Sequence, residues 1–409
     1  MNEETNPDSH SELVSESIDG SRNKFGMTVG RPKIAIVHDF LQSLGGAERV
    51  TLAISELYPD APIYTLTYNS KLDKYFGDKK IVTSYLQKWA HLQRWARIPA
   101  KLLLPFYPLA VESFDLDDFD IVISSSHSFA KNIITRPQTT HISYIHSPMR
   151  YIWDTWHTYI AEQNLGRALS ATIRRILSQI RIWDKVGASR VDIFVANSHN
   201  VRNRIAKYYR RDSQVIYPPV DVDKISLGQP GDYFLVVSRL SRYKRVDLAI
   251  AVCNELKLSL KVVGTGEEES ALRKLAGPTT EVIGWVDDTE KIKYLQGARA
   301  LIFPGEEDFG IVPVEAMAAG KPIIAFRKGG LLETVIEGQT GLFFDDQTVP
   351  SLKSAVEKFI NQTGLWDGSA IRRHAEQFSK ANFQSAIGGL VDQCWARKQN
   401  SATVNGRSL

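Results

Sequence analysis

The chain has 409 residues, 43% hydrophobic and 23% charged, which is the balance of a globular protein long enough for two domains with separate cores. No run of 18 or more apolar residues occurs, so the composition excludes a membrane-spanning helix. The net charge of +4 is modest and no nucleic-acid reading module is recognisable, which argues against a nucleic-acid-binding protein.

Both ends of the chain are polar. Residues 1–30 lack the apolar stretch of a secretory signal, so we expect a disordered leader and a cytoplasmic protein. Cys253 and Cys394 have apolar neighbours at helical spacing, which predicts buried free thiols rather than a disulfide or a metal site.

Residues 31–220 alternate strand and helix patterns and are predicted to form a first α/β domain. The segment KIAIVH (residues 33–38) is a β-rich apolar run, followed by a glycine-bearing loop and then by apolar residues at helical spacing, Val50, Ala53, Ile54 and Leu57. Further strands are predicted over residues 120–124, 141–145, 192–197 and 214–217. This alternation indicates a parallel sheet covered by helices.

Residues 217–232 concentrate Pro, Gly and Asp without periodicity and mark a domain boundary. Residues 231–380 then repeat the α/β pattern, with a helix over 246–256 and strands over residues 233–238, 260–264, 281–286, 300–304, 322–326 and 341–344. A last helix is expected over residues 381–397 and a frayed tail over 398–409. Ligands of open α/β sheets bind beyond the carboxyl ends of the strands, so two such domains place the site in the cleft between them.

Two basic segments of the first half have amphipathic patterns. One runs from Ile81 to Val111 without an acidic residue, and the other from Arg167 to Arg190 with Asp184 as its only acid. Each segment either packs its apolar stripe on the core and exposes a solvated basic face, or contacts anionic lipid headgroups or a pyrophosphate-linked acceptor.

The most informative motif is PGEEDFGIVPVEAMAAGKPIIAFRKGG (residues 304–330), in which seven residues separate Glu307 from Glu315. A helix is predicted to start near Pro313, because proline is favoured in a first helical turn. The preceding amides, those of Phe309, Gly310, Ile311 and Val312, then point out of the helix N-terminus, where they attract phosphate and sugar oxygens. The two carboxylates could accept hydrogen bonds from the hydroxyl groups of a ribose and a hexose.

This motif resembles that of the retaining glycosyltransferases of family 4, which have the GT-B fold. The resemblance implies two Rossmann-like domains facing each other across a deep cleft, an N-terminal acceptor-binding one and a C-terminal nucleotide-sugar-binding one, with a C-terminal helix returning toward the first. It assigns Glu307 to the transferred sugar and Glu315 to the donor ribose. In VVSRLSRYKRVDLAI it places Arg239 and Lys244 on the donor diphosphate, where fixed cations stabilise the charge of the leaving group without a metal.

The resemblance extends to other loops. VGTGEEE and EVIGWVDD match the segments around the nucleotide base, which assigns Gly264, Gly266 and Trp285 to donor binding. In HDFLQSLGGAERV, Gly45 and Gly46 would let backbone amides approach the diphosphate, although a simple turn also explains these glycines.

Two histidines follow predicted strands. His127 occupies the position at which the fold usually has its active-site histidine, facing the donor sugar, and His146 is a candidate for the acceptor pocket. No cluster of His, Cys or carboxylate residues has metal-ligand spacing, so we expect neither a metal nor another cofactor. In SPMRYIWDTWHTYI, Arg150 and Trp153 are further acceptor-pocket candidates, with aromatic packing as the alternative for Trp153.

Family members with a segment like HSPMRYIWD act in bacterial polysaccharide or O-antigen assembly, often with a mannose donor. The expected function is therefore transfer of a hexose, with mannose from GDP-mannose favoured over a UDP-sugar, to a hydroxyl of a saccharide or polyprenyl-diphosphate-linked acceptor. Peripheral contact with the inner face of the cell membrane fits the basic segments. The alternatives are a sugar-nucleotide epimerase of the same fold and a non-catalytic scaffold at the membrane surface.

Overall fold

Two parallel β-sheets organise the chain in a computed structural model that describes residues 30–89, 100–154, 156, 167–362 and 364–405. The strands of the first sheet are β1 (Ile34–His38), β2 (Ile63–Thr65), β3 (Ile81–Thr83), β4 (Ile121–Ser126), β5 (Thr140–Ile145), β6 (Ile193–Ala196) and β7 (Gln214–Val215). The strands of the second are β8 (Tyr233–Val237), β9 (Leu260–Val263), β10 (Thr280–Gly284), β11 (Ala298–Phe303), β12 (Ile323–Phe326) and β13 (Gly341–Phe344).

The two sheets share a doubly wound topology. Their strand orders are β3-β2-β1-β4-β5-β6-β7 and β10-β9-β8-β11-β12-β13. In both sheets the order reverses beside the first strand of the domain, β1 or β8, and all pairings are parallel. The carboxyl ends of all strands in a sheet therefore meet at one edge, and that edge carries the site.

Helices connect the strands. In the first domain they are α1 (Gly46–Leu57), α2 (Asp73–Phe76), α3 (Tyr107–Glu112), α4 (Arg150–Trp153), α5 (Arg167–Gly187) and α6 (His199–Tyr209). The later helices are α7 (Val246–Leu256), α8 (Glu269–Leu275), α9 (Asp288–Gly297), α10 (Ile311–Ala318), α11 (Leu331–Thr334), α12 (Val349–Asn361), α13 (Gly368–Ala375) and α14 (Lys380–Asn405). Side-chain caps start several of them: Ser198, Asp287 and Thr348 each accept a hydrogen bond from a first-turn amide.

Each sheet is covered on both faces. Alternate residues of β1 point into two separate apolar clusters, with Ile34 and Ile36 in one and Ala35 and Val37 in the other. The second sheet is likewise packed between two clusters. This double burial explains why the strands read as continuous apolar runs rather than as alternating patterns.

The chain crosses between the domains twice, and the crossings lie side by side. The Val220 amide donates to the Phe378 carbonyl at 3.0 Å, and the Lys380 amide donates to the Val220 carbonyl at 3.1 Å. Helix α14 then packs on the first domain through buried residues such as Phe383 and Val391. The C-terminal helix thus returns to the first domain, as the resemblance implied.

The structure refines the predicted elements. The expected strands are present, but the three-residue strands β2 and β3 were not predicted, and α14 continues to Asn405, past the expected end at residue 397. Cys253 and Cys394 are buried free thiols, which confirms that prediction. The predicted leader up to residue 29, the centre of the first basic segment (90–99) and residues 406–409 lie outside the described residues. No described helix is both long and apolar enough to cross a bilayer.

Candidate active site

The carboxyl ends of the two sheets face one cavity of about 370 Å³ between the domains. His127 reaches it from the loop after β4, and Arg239 from the loop after β8. Lys244 ends the short 3-10 turn that follows Arg239, and Glu307 lies in the loop after β11. All four predicted catalytic side chains therefore line the same cavity, although more than a hundred residues separate His127 from the other three.

Lys244 and Glu307 form an ion pair within the cavity, between the ammonium group and Oε1. Burial, assisted by the nearby guanidinium groups of Arg150 and Arg239, lowers the pKa of Lys244 to about 8, although Asp308 acts in the opposite direction. Lys244 therefore keeps its charge at neutral pH. In this pair the ammonium group, which could bind a phosphate, and the carboxylate, which could bind hydroxyl groups, neutralise each other's charge.

Arg239 is exposed, and its side chain makes no hydrogen bond or ion pair within the described part of the chain. Its charge acts on Lys244, as does that of Arg150 from the first domain, so two cations line the cavity and a third lies close to Lys244. Such a group can receive a diphosphate.

The N-terminus of α10 supplies main-chain donors to the same cavity. Gly310 caps the helix with φ +93°, a backbone conformation that a side chain would strain, and Ile311 and Val312 follow it along the lining. Phe309 also lines the cavity, but its ring packs against Tyr217 and Phe378. First-turn amides of a helix lack internal acceptors, so they are suited to phosphate or sugar oxygens.

A pair of glycines for which the sequence predicts no role, Gly329 and Gly330, supports the Glu307 loop. A Cβ on Gly329 would lie 2.2 Å from the Glu307 carbonyl oxygen, and one on Gly330 would lie 2.4 Å from that of Asp308. The Gly330 amide donates to the Glu307 carbonyl at 2.8 Å. Only glycine allows this backbone contact, which fixes the loop that carries the carboxylate.

Glu315 lies next to this cavity and lines a smaller one of about 130 Å³ together with Arg49 and Asp288. Lys291 donates to its Oε1 at 2.8 Å, while its Oε2 is buried and has no hydrogen-bond partner among the described residues. A buried oxygen without a donor suits a ligand hydroxyl.

Two family models match the chain over consecutive ranges. The model described as "Glycosyltransferase Family 4" matches residues 44–224, and the one described as "Glycosyl transferases group 1" matches residues 221–382. The matches meet in the crossing between the domains. The chain belongs to glycosyltransferase family 4.

Individual proteins are similar to this glycosyltransferase at low identity. The uncharacterized glycosyltransferase MJ1178 of Methanocaldococcus jannaschii is 28% identical over 207 residues, 49% of this chain and 58% of MJ1178. Alpha-1,3/1,6-mannosyltransferase ALG2 of Mus musculus is 23% identical over 409 aligned residues, 87% of this chain and 95% of ALG2. Anabaena Alr3699/HepE, solved in complex with UDP and glucose, is 16% identical and has a TM-score of 0.63, covering 88% of this chain and 100% of that one. That likeness shows the GT-B fold.

The remaining donor-site predictions fall outside the main cavity of the glycosyltransferase. Gly264 and Gly266 pack so tightly that a Cβ would lie 1.9 Å from the Ser238 carbonyl oxygen and 2.2 Å from that of Leu240, respectively. Trp285 is 75% exposed. The roles of these three residues in binding the base stay predictions. Close backbone packing explains why Gly264 and Gly266 are glycines.

The glycine loop lies at the N-terminus of α1. Gly46 lines the main cavity, and a Cβ there would lie 2.8 Å from Cδ1 of Ile311 in the other domain. The Gly45 amide instead donates to Oε2 of Glu48 at 3.0 Å. A donor phosphate would therefore have to displace Glu48 to reach the Gly45 amide.

The acceptor candidates divide into two groups. His146 lines the cavity, and burial, assisted by His38 and His127, keeps its pKa well below the usual value, so the ring is neutral. Trp153 packs inside the first domain, where its indole donates to Asp184 at 2.8 Å and stacks on Tyr208. This placement favours the packing alternative for Trp153, whereas Arg150 lies near Lys244.

Two charged groups beside the site were not predicted from the sequence. Asp39, directly after β1, lies below His127, and Arg204 on α6 pairs with Asp308 across the cleft at 3.0 Å. Asp39 directly follows the end of a strand, as His127 does, so its position in the sequence could have identified it as a candidate site residue. Nothing in the motifs pointed to Arg204. Within the described ranges, no cluster of His, Cys, Asp or Glu is arranged to hold a metal ion.

Proposed function

We propose that this glycosyltransferase transfers a hexose, with retention of configuration, from a nucleotide-diphosphate sugar to a hydroxyl of a saccharide acceptor. The observation that carries the proposal is the convergence of Arg239, Lys244, Glu307 and the α10 N-terminus on one cavity. Cations and helix amides fit the diphosphate, and a carboxylate beside them fits the sugar hydroxyls.

In the proposed reaction, departure of the nucleoside diphosphate builds negative charge on the β-phosphate. Arg239 and Lys244 are positioned to stabilise that charge without a metal ion. The leaving phosphate takes the proton of the incoming hydroxyl on the same face, while Glu307 and His127 hydrogen-bond the transferred sugar. Donor binding requires Lys244 to exchange its contact with Glu307 for one with phosphate.

We favour mannose from GDP-mannose as the donor, because the mouse relative is named a mannosyltransferase and the sequence resembles O-antigen enzymes. HepE was solved with UDP and glucose, so a UDP-sugar is the competing donor. For the acceptor we propose a saccharide on a polyprenyl diphosphate. Arg150, close to the cavity on the first domain, would meet its phosphates, and peripheral contact with the inner face of the cell membrane would bring enzyme and acceptor together.

A thermal-shift panel of nucleotide sugars tests the donor. A ligand that binds only the native state stabilises it by about 2.7 kcal/mol at a hundred times its Kd. GDP-mannose is expected to raise the Tm most, and a larger shift with a UDP-sugar would replace it as the donor. No shift with any nucleotide sugar would contradict the proposed function.

Transfer itself is tested with a labelled donor, saccharide acceptors and EDTA, and NMR of the anomeric proton reads the configuration of the product. Glu307→Gln and Lys244→Met are each expected to lower kcat on the order of a hundredfold, because both groups act on the donor. Glu337→Gln is the matched control, since Glu337 pairs with Arg327 on the surface. Full activity of either site variant would remove the assignment.

A further inference from the structure

Asp39 is a fully buried carboxylate under the wall of the cavity. Its two oxygens accept hydrogen bonds from four consecutive main-chain amides, those of His127, Ser128, Phe129 and Ala130, at 2.6 to 2.9 Å. Burial opposes the charge, but His127, His38 and these amides hold the pKa of Asp39 below its ordinary value. Asp39 is therefore a fixed negative charge at the carboxyl end of the first sheet.

The ring of His127 lies over this carboxylate. Its Nδ1 is 3.1 Å from Oδ2 of Asp39, in an orientation that falls short of hydrogen-bond geometry, and Nδ1 has no other hydrogen-bond partner in the described part of the chain. Nδ1 is buried, whereas 38% of the side chain is exposed and lines the cavity. The opposite edge of the ring, which carries Nε2, therefore faces the cavity.

The charge of Asp39 favours one position for the proton of a neutral imidazole. An ionised carboxylate only accepts hydrogen bonds, so a neutral ring gains from Asp39 only when the proton is on Nδ1. Nε2 then presents a lone pair to the cavity. The opposite tautomer would set the Nδ1 lone pair against the carboxylate.

We propose that Asp39 is a positioning residue of the transfer reaction, which fixes the tautomer and orientation of His127 so that Nε2 accepts a hydrogen bond from a hydroxyl of the transferred sugar. The proposal rests on the proposed function only in placing a sugar at Nε2. If Asp39 only anchored the loop, it would bind the four amides without affecting the tautomer of the His127 ring. Two experiments separate these roles.

The first test is spectroscopic and uses the wild-type chain. Two-bond ¹H–¹⁵N spectra of ¹⁵N-histidine-labelled protein at pH 8 distinguish the tautomers, and the His127 signals are assigned by their loss in His127→Gln. A proton on Nδ1 and a bare Nε2 are expected. A proton on Nε2, in the opposite tautomer or in an imidazolium ion, would overturn the proposal. Because the readout is not activity, its failure differs from a failed thermal-shift panel.

The second test is a double-mutant cycle. Asp39→Asn in the wild-type background is expected to lower kcat/KM by about 10- to 100-fold, as loss of an orienting partner typically does. In the His127→Gln background the same substitution is expected to have little further effect, because Asp39 would act through His127. Equal losses in both backgrounds would show a purely structural role.

Asp192→Asn is the matched control for loss of a main-chain anchor. Asp192 accepts the His141 amide at 2.7 Å at the opposite edge of the same sheet, away from the cavity. The control is expected to keep the wild-type kcat/KM. Melting temperatures of all variants show whether Asp39→Asn folds, and if it does not, the spectrum of the wild-type chain still decides the proposal.

Discussion

Lys244 and Arg239 differ in a way that matters for donor binding. A guanidinium group keeps its charge in proteins, whereas a lysine ammonium group loses its proton readily when it is buried. Burial, assisted by two neighbouring guanidinium groups, lowers the pKa of Lys244 to about 8. The diphosphate therefore meets both cations at neutral pH but only Arg239 at alkaline pH.

Donor binding is expected to weaken as the pH rises through about 8, because the depressed pKa lets Lys244 lose its proton there. The Kd of the preferred nucleotide sugar should rise by up to about tenfold per pH unit above that point. Isothermal titration between pH 7 and 9 measures it, and the sugar diphosphate does not titrate in this range. Lys244→Met serves as the control, with weaker binding and a flat profile. A flat profile for the wild-type chain would contradict the assignment of Lys244 to the diphosphate.

Sequence motifs predicted direct roles for Glu307, Arg239 and Lys244, and the structure brings these three side chains to one cavity. The motifs did not point to Asp39 or Arg204, whose contacts are with groups far along the chain. The amides that bind Asp39 begin 88 residues later, and the partner of Arg204 lies in the other domain. Such contacts are properties of the packed fold, and a single sequence does not record them.

Helix α5 shows how one element can have two different faces. Asp184, the only acid of the second basic segment, is buried and accepts from Lys131, Trp153 and Tyr209. It ties the helix to the core. The other face exposes Arg174, Arg175, Ile182 and Val186, a mixture of cations and apolar groups that suits an anionic membrane surface.

Removing Arg174 and Arg175 is expected to weaken binding to vesicles that contain phosphatidylglycerol. Each cation near such a surface contributes about 1 kcal/mol, so the double change to Gln should raise the vesicle Kd by roughly thirtyfold. Sedimentation with vesicles at low salt measures the effect. The control removes two exposed lysines of the second domain, Lys274→Gln with Lys358→Gln, at the same cost in net charge. Equal losses in both pairs would show only non-specific attraction.

The elements themselves were largely predictable, because buried parallel strands have a strong apolar signal. The strands that escaped, β2 and β3, have three residues each, too few for a pattern to separate them from a loop. Helix α14 was expected to stop where its sequence becomes polar. It continues to Asn405, because extending an existing helix costs less than starting one, and the ion pair of Lys398 with Asp120 anchors the extension.

At the scale of the molecule, the two domains are held together across the cleft by charges. Arg204 of α6 pairs with Asp154 in its own domain and with Asp308 in the other, each at 3.0 Å. Glu333 of the second domain accepts the first amides of α6, those of His199 and Asn200. Asp308 follows Glu307 directly, so we expect this contact to link the relative position of the two domains to that of the Glu307 carboxylate.

Arg204→Gln is expected to shift the protein toward an open form and to lower kcat. The change leaves Asp308, whose side chain is only 14% exposed, without this cation. The loss costs about 2 kcal/mol of interface energy, which corresponds to roughly a thirtyfold change in the ratio of closed to open molecules. Small-angle scattering should show a larger radius of gyration, restored in part by the donor. Arg202→Gln, an exposed arginine of the same helix, is the control and should change neither quantity. A wild-type radius together with wild-type kcat in Arg204→Gln would show that closure does not depend on this ion pair.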